Sequence, residues 1–133
     1  MASDGWSPPQ RVRLTIPARP EFLRIARLAA VDMGERVGMS LDELDDVRIA
    51  VDELAHVLLA SVISGDPIIE LVFTIREGEL RVEGRREGTP ASRPLETTQL
   101  AGAIVRAASD EHSLGADEHG ARFLMSKRAR SAV

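Results

Sequence analysis

Residues 42–60, "DELDDVRIAVDELAHVLLA", decide how this chain is read. Leu44, Val47, Val51, Leu54 and Leu58 return every three or four residues, and Val62 continues the series. That spacing is the apolar stripe of an amphipathic helix turned toward a core. Ser40 stands at the expected N-cap with Glu43 three residues on, the spacing of a capping box. Asp42, Glu43, Asp45 and Asp46 load the first turns with negative charge, where the helix dipole favours it. This accounts for the acidic cluster, which lacks the spacing and turn glycine of a calcium loop. Asp52 and Glu53 sit together at the rim of the buried face. Glu53 is therefore either a catalytic base or the remnant of a site the chain has lost.

Upstream of the helix, "RVRLTIP" alternates Val12, Leu14 and Ile16 with Arg11, Arg13 and Thr15, the pattern of a strand with one buried face, ended by Pro17. In "PEFLRIARLAAVDMGERVG" Phe22, Ile25, Leu28, Ala29 and Met33 recur at helical spacing, with Pro20 or Glu21 opening the helix and Gly38 stopping it. Downstream, "DPIIELVFTI" and "ELRVEG" read as two strands of a hairpin joined through "REG". "EGRREGTPASRP" reads as a polar loop. "LETTQLAGAIVRAAS" reads as a helix with Leu100, Ile104 and Ala107 or Ala108 on its inner side. A short "DEHSL" segment, the turn "GADEHG" and a last strand "ARFLMSKRAR" close the chain. The order of strand, two helices, two strands, helix and two strands predicts an α+β fold. It is a two-layer sandwich with helices on one face of a mixed, mostly antiparallel sheet. The expected organisation is a loose tail over 1–10 that includes Trp6, a single domain over 11–129, and a short tail over 130–133.

Composition narrows the function classes. The net charge of −4 argues against bulk binding of nucleic acid through its phosphates. No apolar run approaches the roughly 20 residues that cross a bilayer, and "MASDGWSPPQ" lacks the segments of a signal peptide. The expectation is a cytoplasmic protein without membrane or nucleic-acid contacts. The absence of cysteine excludes disulfides and thiolate metal sites. Lys127 is the only lysine; every other basic side chain is arginine, which suits planar ion pairs. The repeated Asp-Glu-His of "DEHSLGADEH" reads as a solvated acidic turn rather than a metal site. His56, His112 and His119 stand far apart in sequence, and no Gly-x-Ser-x-Gly elbow accompanies them.

Four stretches in order, "LTIPARPEFLRIARL", "DELDDVRIAVDELAHVLLA", "LRVEGRREG" and "HGARFLMSKR", resemble the RsbW-like anti-sigma-factor serine kinases. These belong to the GHKL (Bergerat-type) group of ATP-binding domains. The resemblance runs from about Arg11 to Arg128. It implies the GHKL sandwich, and a bacterial regulator of stress-response transcription. Such a regulator sequesters a sigma factor and phosphorylates an anti-anti-sigma protein with ATP and Mg²⁺.

The family's nucleotide motifs can be followed onto this sequence. The N-box pairs a Glu that activates the attacking hydroxyl with an Asn four residues later that ligates Mg²⁺. Here Glu53 fills the acid position and Val57 replaces the Asn, offering no oxygen to a hard cation. The adenine-reading Asp-x-Gly-x-Gly aligns with Arg86, Glu87, Gly88, Thr89 and Pro90. Arg86 is a donor only, and Pro90 removes the freedom of the second glycine. The glycines that cradle phosphate fall on Thr98, Gln99 and Ala101, with Gly102 one position off. The resulting expectation is a degenerate site with no cofactor and no metal, and Glu53 as a catalytic remnant. The protein then acts by binding a sigma factor or an anti-anti-sigma partner. The resemblance places Arg24 near the partner-binding face; Arg27 and Glu21 join it as candidates, and a family-like homodimer is implied. The alternative is an active ATP/Mg²⁺-dependent serine kinase with a repaired site.

Overall fold

A computed structural model describes residues 8–62, 65–87, 95 and 97–130. Its elements are β1 (Gln10–Pro17), a 3₁₀ turn (Pro20–Phe22), α1 (Leu23–Arg36), α2 (Leu41–Ala60), β2 (Ile68–Arg76), β3 (Glu79–Glu87), α3 (Gln99–Ala108), β4 (Glu111–Asp117) and β5 (Gly120–Arg128). The element order is the expected one. The five strands form one sheet in the order β1-β2-β3-β5-β4, and each neighbouring pair runs antiparallel. The sheet expected to be mixed and mostly antiparallel is antiparallel throughout. Within it, α1 packs over β2 and β3, α2 over β3 and β5, and α3 beside α2 and β4.

The inner face of the sheet reads directly from strand register. Its central rows are Ile69–Arg86–Ala121, Leu71–Gly84–Phe123, Phe73–Val82–Met125 and Ile75–Leu80–Lys127, all buried. Side chains two residues apart share a face, so one register assigns every row. Gly84 is the position where a Cβ would strike the Phe123 ring, so the aromatic lies over bare backbone. Arg86 and Lys127 stand at opposite ends of an otherwise apolar layer. The β2–β3 hairpin turns through Glu77 and Gly78, both at positive φ (49° and 78°), the conformation of a tight two-residue turn.

Around α2 the capping box is complete: Ser40 Oγ accepts from the Glu43 N–H at 3.2 Å, and Glu43 Oε1 accepts from the Ser40 N–H at 2.9 Å. Leu44, Val47, Val51, Leu54 and Leu58 are buried as expected, while the helix stops at Ala60 and leaves Val62 beyond it. The other two helices correct the sequence reading. The inner side of α1 is Leu23, Ala26, Ala30, Met33 and Gly34; Ile25 is 44% and Leu28 60% exposed. The inner side of α3 is Gly102, Val105 and Ala108, while Leu100 is 72% exposed. Residues 85–87, expected in a loop, complete β3. "GADEHG" shrinks to a turn at Glu118 and His119, because Gly115, Ala116 and Asp117 pair with β5. In β1 only Ile16 is fully buried, and Val12 is 45% exposed on this edge strand. Trp6 lies outside the described residues.

Candidate functional site

Three side chains at four-residue intervals, Glu53, Val57 and Ser61, follow one flank of α2 and its C-terminal cap. The other flank meets α1: Arg27 Nη1 donates to Asp52 Oδ1 at 2.6 Å, with both side chains about one-third exposed or less. Helical spacing separates Asp52 from Glu53 by about 100°. The two adjacent acids therefore serve different faces. His56 donates from Nδ1 to the Asp52 carbonyl at 2.7 Å, and its ring lies 3.7 Å from the Asp52 carboxylate. Glu53 and Val57 are half-buried.

Opposite this flank, β3 delivers Arg86. Its place in the strand alternation aims it inward between Ile69 and Ala121, and it is 0% exposed. Arg86 Nε donates to Ser61 Oγ at 2.7 Å, and that hydroxyl donates onward to the Leu58 carbonyl at 2.6 Å. Ser61 thus ties the last turn of α2 to the sheet. Burial pulls the Arg86 guanidinium below the usual arginine range. Gly120, at φ 137°, passes so close to the Arg86 carbonyl that any Cβ there would collide with it. Gly88 and Pro90 lie outside the described residues.

The third wall is the start of α3. Thr98 Oγ1 caps it by accepting from the Ala101 N–H at 3.1 Å. Gly102 is buried, and a Cβ there would approach Thr97 Oγ1 to 2.8 Å. The position that the resemblance gives to the metal ligand holds the aliphatic Val57, and the one it gives to the adenine-binding acid holds Arg86, a buried cation engaged by Ser61. Among the described residues no three His, Asp or Glu side chains converge as a metal site.

The remaining candidates lie on α1. Arg27 is committed to Asp52, and Arg36 to Asp32 at 2.8 Å. Arg24 is exposed and has no ion pair among the described residues, and it borders the exposed Ile25 and Leu28. Glu21 is exposed in the turn that opens α1. The sequence reading missed Ser61 and Asp52 as partners of the two inward arginines. Their only sequence signal is position: Ser61 stands eight residues after Glu53, and Asp52 beside it.

The helices lie on one face of this antiparallel sheet, with α2 beside an inward β3 side chain, and together they form a two-layer α+β sandwich. No protein-family model matches the chain. It is similar to the serine-protein kinase RsbW of Listeria monocytogenes serotype 4a, with 32% identity over 81 residues, 59% of this chain and 52% of that one. The RsbW of Halalkalibacterium halodurans is 36% identical over 45 residues, 34% of this chain and 28% of that one. The chain thus spans about half or less of the length of these curated relatives. The crystal structure of the RsbU and RsbW domains of Rv1364c from Mycobacterium tuberculosis superposes with a TM-score of 0.68 at 16% identity, covering 96% of this chain and 35% of that one. That likeness bears on the fold.

Proposed function

We propose that the chain is an RsbW-like regulatory binding module that has given up nucleotide and acts by stoichiometric capture of a sigma factor or an anti-anti-sigma protein. The observation that carries this reading is Arg86. It is fully buried, held by Ser61, and occupies the position that the family resemblance gives to the adenine-binding acid. Phosphoryl transfer rests on positioning and on charge stabilisation by a metal and donors. Glu53 without an oxygen ligand at Val57 supplies neither, so it stands as a remnant. No cofactor or metal is part of this reading.

Binding falls to the outer face of α1. Ile25 and Leu28 offer apolar area there, Arg24 a cation without an ion-pair partner among the described residues, and Glu21 an acid at the helix start. Arg27 acts one step behind, holding α1 against α2 through Asp52. The partner is a protein, with no part for nucleic acid or membrane.

Calorimetric titration with ATP and with ADP, each with Mg²⁺, tests the first half of this reading. The expected result is no saturable heat at millimolar nucleotide. Micromolar binding would restore the serine-kinase reading and make Glu53→Ala the next variant. The second half is tested by titrating the sigma factors and anti-anti-sigma proteins of the source genome. Capture of one of them, weakened about tenfold or more by Arg24→Glu, is expected; capture of none overturns the assignment of partner class.

A further inference from the structure

β1 ends the sheet on one side, and among the described residues no strand pairs with its outer edge. It keeps an unbroken register with β2, from Gln10↔Ile75 to Pro17↔Ile68, so no bulge interrupts the edge. One step beyond that register, the Ala18 N–H donates to the Pro67 carbonyl at 3.0 Å. Hydrogen-bonded pairs alternate along an antiparallel ladder, so Gln10, Val12, Leu14 and Ile16 direct their backbone groups at β2. Arg11, Arg13 and Thr15 therefore turn N–H and C=O outward. Their exposed side chains share the sheet face opposite the helices. On the helix side of the same strand Val12 is 45% exposed and Leu14 half-buried.

We propose that this edge takes an extended segment of another protein as a further strand, one in which two carboxylates alternate with apolar residues. In such docking the main-chain hydrogen bonds supply affinity and alternate side chains supply specificity. The two faces of β1 set the pattern. Residues placed against Arg11 and Arg13 meet cations, and the residue between them falls beside Val12. Glu70, 3.6 Å from Arg13, is the only acid ion-paired with either arginine among the described residues, so positive charge is in excess there. A second copy joined by the same edge would bring four arginines onto one face, and edge charges of this kind guard a strand against its own copies. The chain's own residues 1–7, "MASDGWS", hold a single acid, Asp4. The opposite edge strand, β4, carries no arginine or lysine. The edge is separate from the outer face of α1, and its docking does not depend on the nucleotide-free reading of the site.

The probes are two capped peptides, one with glutamates alternating with valines and a twin with lysines in place of the glutamates. Amide NMR titration of the whole chain is expected to move the Arg11, Arg13 and Thr15 N–H signals with the acidic peptide, saturating at roughly millimolar concentration. The lysine twin is expected to bind about tenfold more weakly. Arg13→Pro removes one outward N–H and none of the bonds to β2, so the fold is expected to persist while the peptide no longer binds. The double variant Arg11→Glu/Arg13→Glu keeps every backbone group and is expected to reverse the preference toward the lysine peptide. Equal binding of the two peptides, or binding of neither, overturns the proposal. So does an unreversed preference in the double variant, or signal movement centred on β4. Movement of the same three amides when the protein alone is concentrated would make the occupant a second copy and overturn it too.

Discussion

A buried arginine in an apolar row is the feature that decides this molecule. Arg86 has the same register place in its row as Gly84, Val82 and Leu80 have in theirs, and its guanidinium must be solvated from within. Ser61 supplies one acceptor, and the Leu58 carbonyl orients that hydroxyl. Taking away an acceptor leaves a buried charged donor poorly satisfied, which costs more than the bond itself contributes. Replacing the charged side chain with an apolar one of similar length removes the desolvation term together with the bond. Ser61→Ala is accordingly expected to lower stability by about 1–3 kcal/mol, whereas Arg86→Met is expected to be near neutral. Urea unfolding of both variants reads the difference. If Arg86→Met proves the more damaging of the two, the guanidinium is a net stabiliser of the fold, and the account of its cost is wrong.

At the scale of elements, α2 was legible from its sequence, because stripe, cap and acidic first turn agree on the same boundaries. Ser40→Ala is expected to cost about 1 kcal/mol by removing one half of the capping box, read as a shift in the urea midpoint at unchanged slope. The faces of α1 and α3 were not legible. Both helices carry apolar residues around much of their circumference, so period alone offers two stripes, and the larger residues suggested the wrong one. What lies inside is small. Ala26 and Ala30 face the core, and a Cβ on Gly34 would come within 2.7 Å of Leu44 Cδ2, which marks the closest approach of the two helices. Large side chains at those positions would hold the elements apart. The end of β3 was hidden for a related reason. Its inward positions there are Gly84 and Arg86, neither of which reads as core, though the alternation of burial runs unbroken from Leu80 to Arg86. Within the candidate site, Val57 and Arg86 could be singled out in the sequence only through the resemblance. The pairing of Arg86 with Ser61 and of Arg27 with Asp52 was not legible, since 25 residues separate the partners in each case.

Across the whole molecule, the last described residues close the fold by tying three regions together. Glu43, already part of the α2 cap, accepts from the Arg130 N–H at 2.8 Å. Asp110, between α3 and β4, accepts from the Arg128 N–H at 2.7 Å and from Arg130 Nη2 at 2.9 Å. The Ala129 N–H reaches the Gly78 carbonyl at 2.8 Å, and buried Lys127 lies 3.4 Å from Asp46. Backbone hydrogen bonds from Ser40 and Arg130 pull the Glu43 carboxyl below its ordinary value of 4.5. For Asp110, burial pushes upward, but the hydrogen bonds from Arg128 and Arg130 and the charges of Arg130 and Lys127 outweigh it, leaving the group below 3.8. A carboxyl depressed by folding contributes stability that is fully present above its unfolded value and is lost as pH falls through its folded one. The clasp is thus intact at neutral pH, starts to weaken as pH drops below about 4.5, and is lost further down as both groups protonate in the native state. Urea midpoints measured from pH 7 down to pH 3 are expected to hold level and then fall. In the Glu43→Gln/Asp110→Asn double variant the midpoint is lower at pH 7, and the fall toward pH 3 is shallower. An acid limb as steep in the double variant as in the wild type would place the acid sensitivity in other carboxylates and remove the clasp from the account of stability.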